Sequence, residues 1–289
     1  LVITIKQLSQ IDIRFLKEIP YTGGMNTPAA RPRKVSPLFN QSLEKGLAVI
    51  RAFSTAHRSM TMGEVAQAVD INRSSAQRMV YTLEQLGYLK KQPRTHRYRL
   101  TVKVLELGFN YLSTHTLIDI ANPFLAELSN VSQETICLTE AEGAEMVYIA
   151  RFVSARYIPI HMPIGSRIPM YCTGSGRAYL SALPGDEALA LLRAMPRTAH
   201  TMHTRTDEAE LLGLLRDARR RGYAVNQEEL FLGDMTLAAP ILNGAGRPVA
   251  AVHIVAPTSR WKLQDAQERL VPSLLACARS LNNSIRAMD

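Results

Sequence analysis

TMGEVAQAVDINRSSAQRMVYTLEQLGYLKKQPRTHRYRL, residues 61–100, decides how the N-terminal part folds. Thr61 and Glu64 stand at capping-box spacing: the threonine hydroxyl can accept from the Glu64 amide while the carboxylate reaches back. A short helix follows over 64–69, with Val65 and Val69 one turn apart. Asp70-Ile71-Asn72 breaks it, and Asn72 is a good N-cap for a longer helix over 73–86. Met79, Val80, Leu83 and Leu86 form that helix's expected inward stripe, and Gly87 supplies a left-handed residue at its end. Two helices joined by so short a turn outline a helix-turn-helix. Residues 88–91 and 97–100 alternate and are β-prone, and 92–96 turns between them. That adds a two-stranded wing.

Upstream, residues 41–55 read as an amphipathic helix, with Leu43, Leu47, Ile50 and Phe53 as its buried stripe. Residues 26–37 (NTPAARPRKVSP) read as a flexible basic arm. Met25 is the first methionine and the expected natural start, which makes 1–24 a leader or a misplaced start. The other reading is an authentic extra segment. A secretory signal is disfavoured, because no basic n-region and no small-residue cleavage site frame an apolar core.

The 289 residues carry 34 Lys+Arg against 25 Asp+Glu, a net charge of +9, and the excess is local. Residues 31–99 hold 13 basic and 4 acidic side chains, whereas residues 100–289 hold 18 and 19. A short basic module attached to a long neutral one suggests a part that meets a polyanion and a part with another task. Within the basic module the charge gathers on the longer helix and the wing. Arg73, Ser74, Ser75, Gln77 and Arg78 offer guanidinium, hydroxyl and amide groups suited to phosphates and base edges in a major groove. Lys90, Lys91, Arg94 and Arg97 do the same on the wing. Two readings stay open for Arg78, a DNA contact or a salt bridge anchoring the helix. Two stay open for Tyr81, exposed or packed under the wing.

Composition excludes other classes. With 46% hydrophobic and 20% charged residues the chain can bury a core. No apolar run reaches the ~18 residues of a membrane span. Cys137, Cys172 and Cys277 are far apart and lack a C-x-x-C, so neither a zinc cage nor a disulfide framework is expected. A reducing cytoplasm is the expected location. No metal site and no cofactor is expected: His200 and His203, without a nearby Cys or Glu, read as solvated. Cys172 beside a helix start invites comparison with a nucleophile, but no histidine stands at an activating spacing, so no catalytic residue is assigned.

Beyond residue 100, residues 101–115 read as a helix with Val104, Leu105, Leu107, Gly108, Tyr111 and Leu112 on a face too apolar for an exposed linker. It packs on the chain's own domain or on its twin in a dimer. Then come a helix over 117–131 and strands over 135–140, 145–152 and 157–162. Helices follow over 174–182, 185–195 and 207–222, and strands over 223–227, 236–242 and 249–256. A helix over 264–286 closes the chain. The basic end of the helix over 207–222, Arg219, Arg220 and Arg221, reads as complementing that helix's own dipole. Strand runs flanked by helices without βαβ alternation indicate an α+β fold with an antiparallel sheet.

The opening of the helix at Gly174, with Ser175 and Gly176, leaves free amides that suit a carboxylate or other anion. Tyr171, Met146, Met170 and Tyr148 could wall such a site with apolar surface, or could simply be core. Ser175 could be a cap, and His253 a core or surface histidine.

SLEKGL (42–47), SSAQRM (74–79), LEQLGY (83–88) and YRLT (98–101), followed by PMYCTGSGRAYL (169–180), GYAVNQEE (222–229), AAPI (238–241) and GRPVAA (246–251), resemble the IclR family of bacterial transcriptional regulators in order and spacing. The resemblance covers 38–289. It implies a winged helix-turn-helix over 38–100, a linker helix over 101–116, and a GAF/profilin-like effector-binding domain over 117–289, in homodimers or homotetramers on double-stranded operator DNA. It also implies a small-molecule effector, a small or aromatic carboxylic acid, held by Gly174, Ser175, Asn226, Asp234, Thr236 and His253. Two positions depart from the family. Asn226 stands where many members hold a carboxylate, and Asp234-Met-Thr236 where many hold an apolar residue with Arg or Cys. An acid at 234 favours an effector that also carries a hydroxyl or amine donor. YCT (171–173) and YRLTVK (98–103) are similar to members that control aromatic-acid catabolism. Two alternatives remain: a Cys172-dependent enzyme with a DNA-binding appendage, and a ligand-independent architectural DNA binder.

Overall fold

A computed structural model describes residues 36–154, 156 and 162–288. The chain divides between Leu107 and Gly108 into two compact units. The first contains α1 (Gln41–Ala52), α2 (Met62–Ala68), α3 (Arg73–Gln85) and the antiparallel pair β1 (Leu89–Lys91) and β2 (Tyr98–Leu100). Its boundaries follow cap chemistry. Asn40 Oδ1 accepts from the Ser42 and Leu43 amides at the start of α1. The Thr61–Glu64 capping box is complete. Asn72 accepts from the Ser75 amide, and Gly87 has φ +81°. A feature unread in the sequence is a bridge from Met60 to Tyr98, which adds a third backbone partner to the wing through two hydrogen bonds of 2.7 and 2.9 Å.

The small core of this unit joins Val49, Met60, Val65, Val80, Leu83, Leu89 and Tyr98. It corrects two expected stripes. On α1 the inward face runs through Gly46, Val49, Ile50 and Phe53. Gly46 lets α3 approach, its Cβ position lying 3.9 Å from Met79 Sδ. Leu43 and Leu47 therefore remain 62% and 43% exposed. On α3 the inward residues are Ser75, Ala76, Val80 and Leu83, with Met79 partly buried and Leu86 exposed.

A 3-10 turn (Val102–Val104) leads into α4 (Leu105–Thr114), which has no buried residue. The second unit is three-layered. Its six-stranded antiparallel sheet runs β5-β4-β3-β8-β7-β6, built from β3 (Thr135–Glu142), β4 (Glu145–Phe152), β5 (Arg167–Pro169), β6 (Ala224–Gln227), β7 (Met235–Leu242) and β8 (Pro248–Val255). One face packs on α5 (Thr116–Ser132) and α9 (Leu263–Arg286) through Ile136, Leu138, Leu237, Ala239, Val252 and Ile254. The other, through Cys137, Met146, Ala238, Ala251 and Val255, packs on α6 (Gly174–Ala182), α7 (Gly185–Ala194) and α8 (Glu208–Arg221). Burial on both faces explains why β7 and β8 read as continuous apolar runs. Of the strand expected over 157–162, residues 157–161 lie outside the described residues, as does all of 1–35. The short β5 was not foreseen. It ends in Pro169 and pairs only with β4, at a sheet edge where a proline is tolerated.

Arg219, Arg220 and Arg221 stand in the last turn of α8, as the dipole reading expects. Arg219 has a second task that the sequence did not show: its guanidinium donates to the carbonyls of Ser181 and Leu183 and so closes the end of α6. No helix among the described residues is long and apolar enough to cross a membrane.

At Gly176 a Cβ would run into the backbone of Met170, which cannot retreat as a side chain can. Gly176→Ala is expected to destabilise the second unit by about 3 kcal/mol or more, the upper range for overpacking. Urea unfolding followed by circular dichroism measures it; a loss below about 1 kcal/mol would show that α6 can shift off the sheet.

Candidate functional site

The outer face of α3 follows from its caps and inward stripe. Arg73, Ser74, Gln77 and Arg78 are exposed, and Tyr81, one turn further, is 61% exposed. Arg78 forms no salt bridge among the described residues, and Tyr81 is not packed under the wing. Ser75 is buried, which takes it off this face. Lys90, Lys91, Arg94 and Arg99 are exposed on the wing. Lys90 stands directly opposite Arg99 across β1 and β2, a like-charge pairing that costs stability in a sheet. Lys91 lies over the Tyr98 ring at 5.9 Å. Arg97 differs from the other wing cations. It donates to Ser59 Oγ at 3.1 Å and Ser59 O at 2.8 Å and pairs with Glu64 at 2.7 Å, tying the wing to the start of α2. The Thr61 amide, with Arg97 adding to it, holds the Glu64 carboxyl below its ordinary range.

In the second unit, Gly174, Ser175, Asn226, Asp234, Thr236 and His253 line one cavity together with Tyr148, Ile168, Thr173, Leu230 and Phe231. Its accessible space is ≈ 20 Å³, room for about one water. Thr173 Oγ1 donates to Pro169 O at 2.7 Å and accepts from the Gly176 amide at 3.3 Å. That cap leaves the Gly174 and Ser175 amides, which head α6, without intrahelical partners. Ser175 Oγ and His253 Nδ1 are buried and have no hydrogen-bond partner, in residues 2% and 1% exposed. Asn226 donates to Cys172 O at 2.9 Å. No Lys or Arg is among the lining residues. Burial pushes His253 down to about 3, with Arg151 adding to the shift, so its imidazole is neutral. Burial raises Asp234 to about 7 against the opposing pull of Arg151.

Tyr171 and Met146 do not line this cavity. Both are core side chains, and the Tyr171 hydroxyl is held by Thr198, donating to its carbonyl at 2.6 Å and accepting from its amide at 3.0 Å. Of the expected apolar walls, Tyr148 alone reaches the cavity. Ile168, Thr173, Leu230 and Phe231 were missed. The available signal for the loop pair was two adjacent apolar residues in a turn-rich segment. Cys172 is buried and its thiol is pushed up to about 12, mainly by desolvation, which is the opposite of an activated nucleophile.

A buried pair fixes the cavity's loop wall. Arg177, on α6, meets Glu229 bidentately at 2.5 and 2.6 Å, and its Nε donates to Tyr171 O at 2.9 Å. Glu229 Oε2 also accepts from the Arg205 amide. The loop over 228–234, which carries Leu230, Phe231 and Asp234, is thus anchored to the helix that heads the cavity. A larger cleft of ≈ 370 Å³ lies between the end of α5 and the start of α9. Its buried carboxylate, Glu134, is already satisfied by Arg260 and by Trp261 Nε1. None of its lining atoms is both buried and unpartnered, so the smaller cavity is the stronger ligand site. Among the described residues no cluster of His, Cys, Asp or Glu could hold a metal.

A winged helix-turn-helix followed by a separate three-layer unit with a closed polar cavity defines a DNA-binding regulator of transcription. Residues 42–93 match the IclR helix-turn-helix domain, and residues 109–283 match the family described as bacterial transcriptional regulator IclR C-terminal. The chain belongs to the IclR family. The Pca regulon regulatory protein of Pseudomonas putida is 34% identical over 85% of this chain and 84% of its own. A transcriptional regulator from Rhodococcus sp. RHA1 superposes with a TM-score of 0.77 at 37% identity, over 87% of this chain and all of that one. An IclR homologue from Microbacterium hydrocarbonoxydans, complexed with 4-hydroxybenzoate, shares the fold with a TM-score of 0.70 at 22% identity, covering 85% and 99%.

The two ionisable groups of the cavity act on stability in opposite directions. Asp234 ionises at about 7 when folded against 3.8 ordinarily. Between those values the folded state holds the extra proton, and stability falls as pH rises. His253 stays neutral to about 3 when folded against 6.5 ordinarily, so stability falls as pH drops through that window. Asp234→Asn removes only the first effect. Its gain in melting temperature over wild type is expected to grow from pH 4.5 to pH 7, by differential scanning fluorimetry. Equal gains at both would mean that Asp234 ionises normally.

Proposed function

We propose that this regulator reads operator DNA with the outer face of α3 and the wing, and that a small carboxylic acid in the α6 cavity controls that binding. Residues 38–100 are the DNA reader, 101–116 the linker, and 117–289 the effector domain. The reading groups are Arg73, Ser74, Gln77 and Arg78 on α3 with Lys90, Lys91 and Arg94 on the wing. Arg99 joins them through its position opposite Lys90. Ser75 and Arg97 serve the fold instead.

The observation that carries the effector assignment is the pair of buried, unpartnered polar atoms, Ser175 Oγ and His253 Nδ1, in a cavity headed by α6. Native proteins rarely leave such atoms unsatisfied, and a ligand is one reason for doing so. The ligand's carboxylate meets the Gly174 and Ser175 amides and the Ser175 hydroxyl, where the helix end supplies the only positive field among the lining groups. A second anion at Asp234 would repel it, so the ligand presents a hydroxyl or amine hydrogen to that carboxyl or to neutral His253. A hydroxylated aromatic acid fits this polarity. The relatives that regulate the Pca regulon or were crystallised with 4-hydroxybenzoate support that class. Because ≈ 20 Å³ cannot hold such a molecule, entry requires the part of the loop beyond the anchored Glu229, residues 230–234, to open. Gly233 (φ +80°) near its end has left-handed backbone. Effector binding then selects an open form, which is how occupancy can alter operator affinity.

The protein works as a homodimer, or as a tetramer of two dimers, in the cytoplasm where the chromosome lies. Val102, Leu105, Leu107 and Phe109 on the linker and Leu43 and Leu47 on α1 are exposed apolar side chains. A second copy would cover such side chains, and a dimer supplies the two α3 helices that successive major grooves, roughly 34 Å apart, require.

Mobility shifts on the protein's own upstream region test the DNA face. Arg73→Ala with Arg78→Ala is expected to weaken binding by about 10-fold or more, at roughly 1–3 kcal/mol per lost contact, while Ser75→Ala binds as wild type. Undiminished binding by the double variant would remove α3 from the interface. In the same preparations, 4-hydroxybenzoate is expected to raise the melting temperature of wild type and not of Ser175→Ala. No shift with this or other small acids would favour a DNA binder that needs no ligand.

A further inference from the structure

The linker meets the effector domain at a one-residue break. Helix α4 ends at Thr114 and α5 begins at Thr116; His115 between them is extended (φ −90°, ψ 98°) and offers α5 no side-chain cap. One carboxylate of the sheet spans this break. Glu140, on β3, accepts a hydrogen bond from the Tyr111 hydroxyl in the last turn of the linker and lies 3.0 Å from His115 Nε2 at the break itself. The Tyr111 and His115 rings meet edge to face with centroids 5.0 Å apart. Their spacing of four residues places both on one side of the chain. Between them Leu112 packs against the α5/α9 core. Among the described residues no other side-chain hydrogen bond or ion pair joins 105–115 to the sheet.

The strand that carries Glu140 lies between β4 and β8, which contribute Tyr148 and His253 to the cavity. Cys137, three residues earlier on β3, is the register partner of His253 on β8, and Glu140 pairs with Ala250 on the same strand. The β3–β4 register shifts between Leu138 and Thr139, where β4 carries the extra residue, Ile149, while β3 keeps its register with β8 through Glu140. Side-chain alternation puts His253 toward the cavity layer and Glu140 toward α5, so a movement of β8 against β3 reaches the linker without passing through solvent.

We propose that Glu140 is a positioning residue, the grip by which the effector domain sets the linker helix, with Tyr111 and His115 as its two contacts. It touches neither effector nor DNA. The proposal rests on the effector reading above for what drives the grip, but not for its existence. A coupling claim needs a perturbation that changes the coupling while leaving both binding sites intact.

Full-length Glu140→Gln and Tyr111→Phe are the test. Without effector, amide exchange over 105–115 is expected to be about 10-fold faster in both variants, with β3 and β8 unchanged. Affinity for the upstream DNA, by fluorescence anisotropy, should change by about 5-fold or more, the lower bound of ordinary allosteric coupling. With 4-hydroxybenzoate, ligand affinity should stay within about twofold of wild type, while the ligand's effect on DNA affinity is lost. A structural role alone would move stability but not this split. Unchanged linker exchange together with unchanged DNA affinity overturns the proposal. If Glu140→Gln fails to fold, Tyr111→Phe, which removes a single hydroxyl, decides by the same readouts. A wild type that ignores 4-hydroxybenzoate would overturn that choice of effector, and exchange and DNA affinity would still decide the role of Glu140.

Discussion

The close approach of the first turn of α6 to the sheet and to Met170 governs the rest of the effector domain. A Cβ at Gly174 would meet the Thr236 side chain, and one at Gly176 the Met170 backbone; Ala238 and Ala251 on the sheet face beneath keep that surface low. The approach buries a helix N-terminus, so its free amides open onto a cavity instead of water. It also drags Arg177, three residues on, into the interior. A buried guanidinium needs a carboxylate, and Glu229 supplies both oxygens. That requirement in turn fixes the loop that forms the cavity's wall. Such a pair adds little over a well-packed apolar replacement, yet breaking it costs roughly 3–5 kcal/mol. Its value here is positional.

Elements whose ends carry cap chemistry were legible in the sequence almost to the residue. The Thr61–Glu64 box, Asn72, and the pair Asp207 and Gly222 each satisfy orphan backbone groups locally, so no distant partner is needed to place them. Facing was less legible. Leu43 and Leu47 are as apolar as Val49, but hydrophobicity says only that a side chain seeks cover, not which surface provides it. On α1 the choice was made by Gly46, whose lack of a side chain admits α3.

The cavity divides in the same way. Six of its residues were readable from the resemblance to the IclR family, in or beside the stretches that carry it. Tyr171 and Met146 were misplaced: an aromatic or thioether beside a glycine turn is equally suited to wall a cavity and to fill the core, and only the third dimension separates the two. Arg177 and Glu229 stood inside the quoted motifs but read as ordinary charges. Burial turns such residues into structure, and burial is a property of the whole fold.

The treatment of arginine differs between the two units. In the effector domain Arg167 is paired with Glu142 and Glu145, Arg193 with Glu208 and Arg247 with Glu187. In the first unit the one ion pair among the described residues is Arg97–Glu64. Among the described residues Arg73, Arg78, Lys90, Lys91, Arg94 and Arg99 have no carboxylate partner, and two of them oppose each other across the wing. Exposed pairs are worth only about 0–1 kcal/mol each, so pairing contributes little to either fold. What differs is availability. A cation already held by a carboxylate must give up that partner before it can take a phosphate, whereas an unpaired one gains attraction and relieves its like-charged neighbour in the same step. The unpaired cations of α3 and the wing therefore mark a surface whose electrostatics a polyanion would complete, and the Arg97–Glu64 pair shows which of the wing cations the fold has kept for itself.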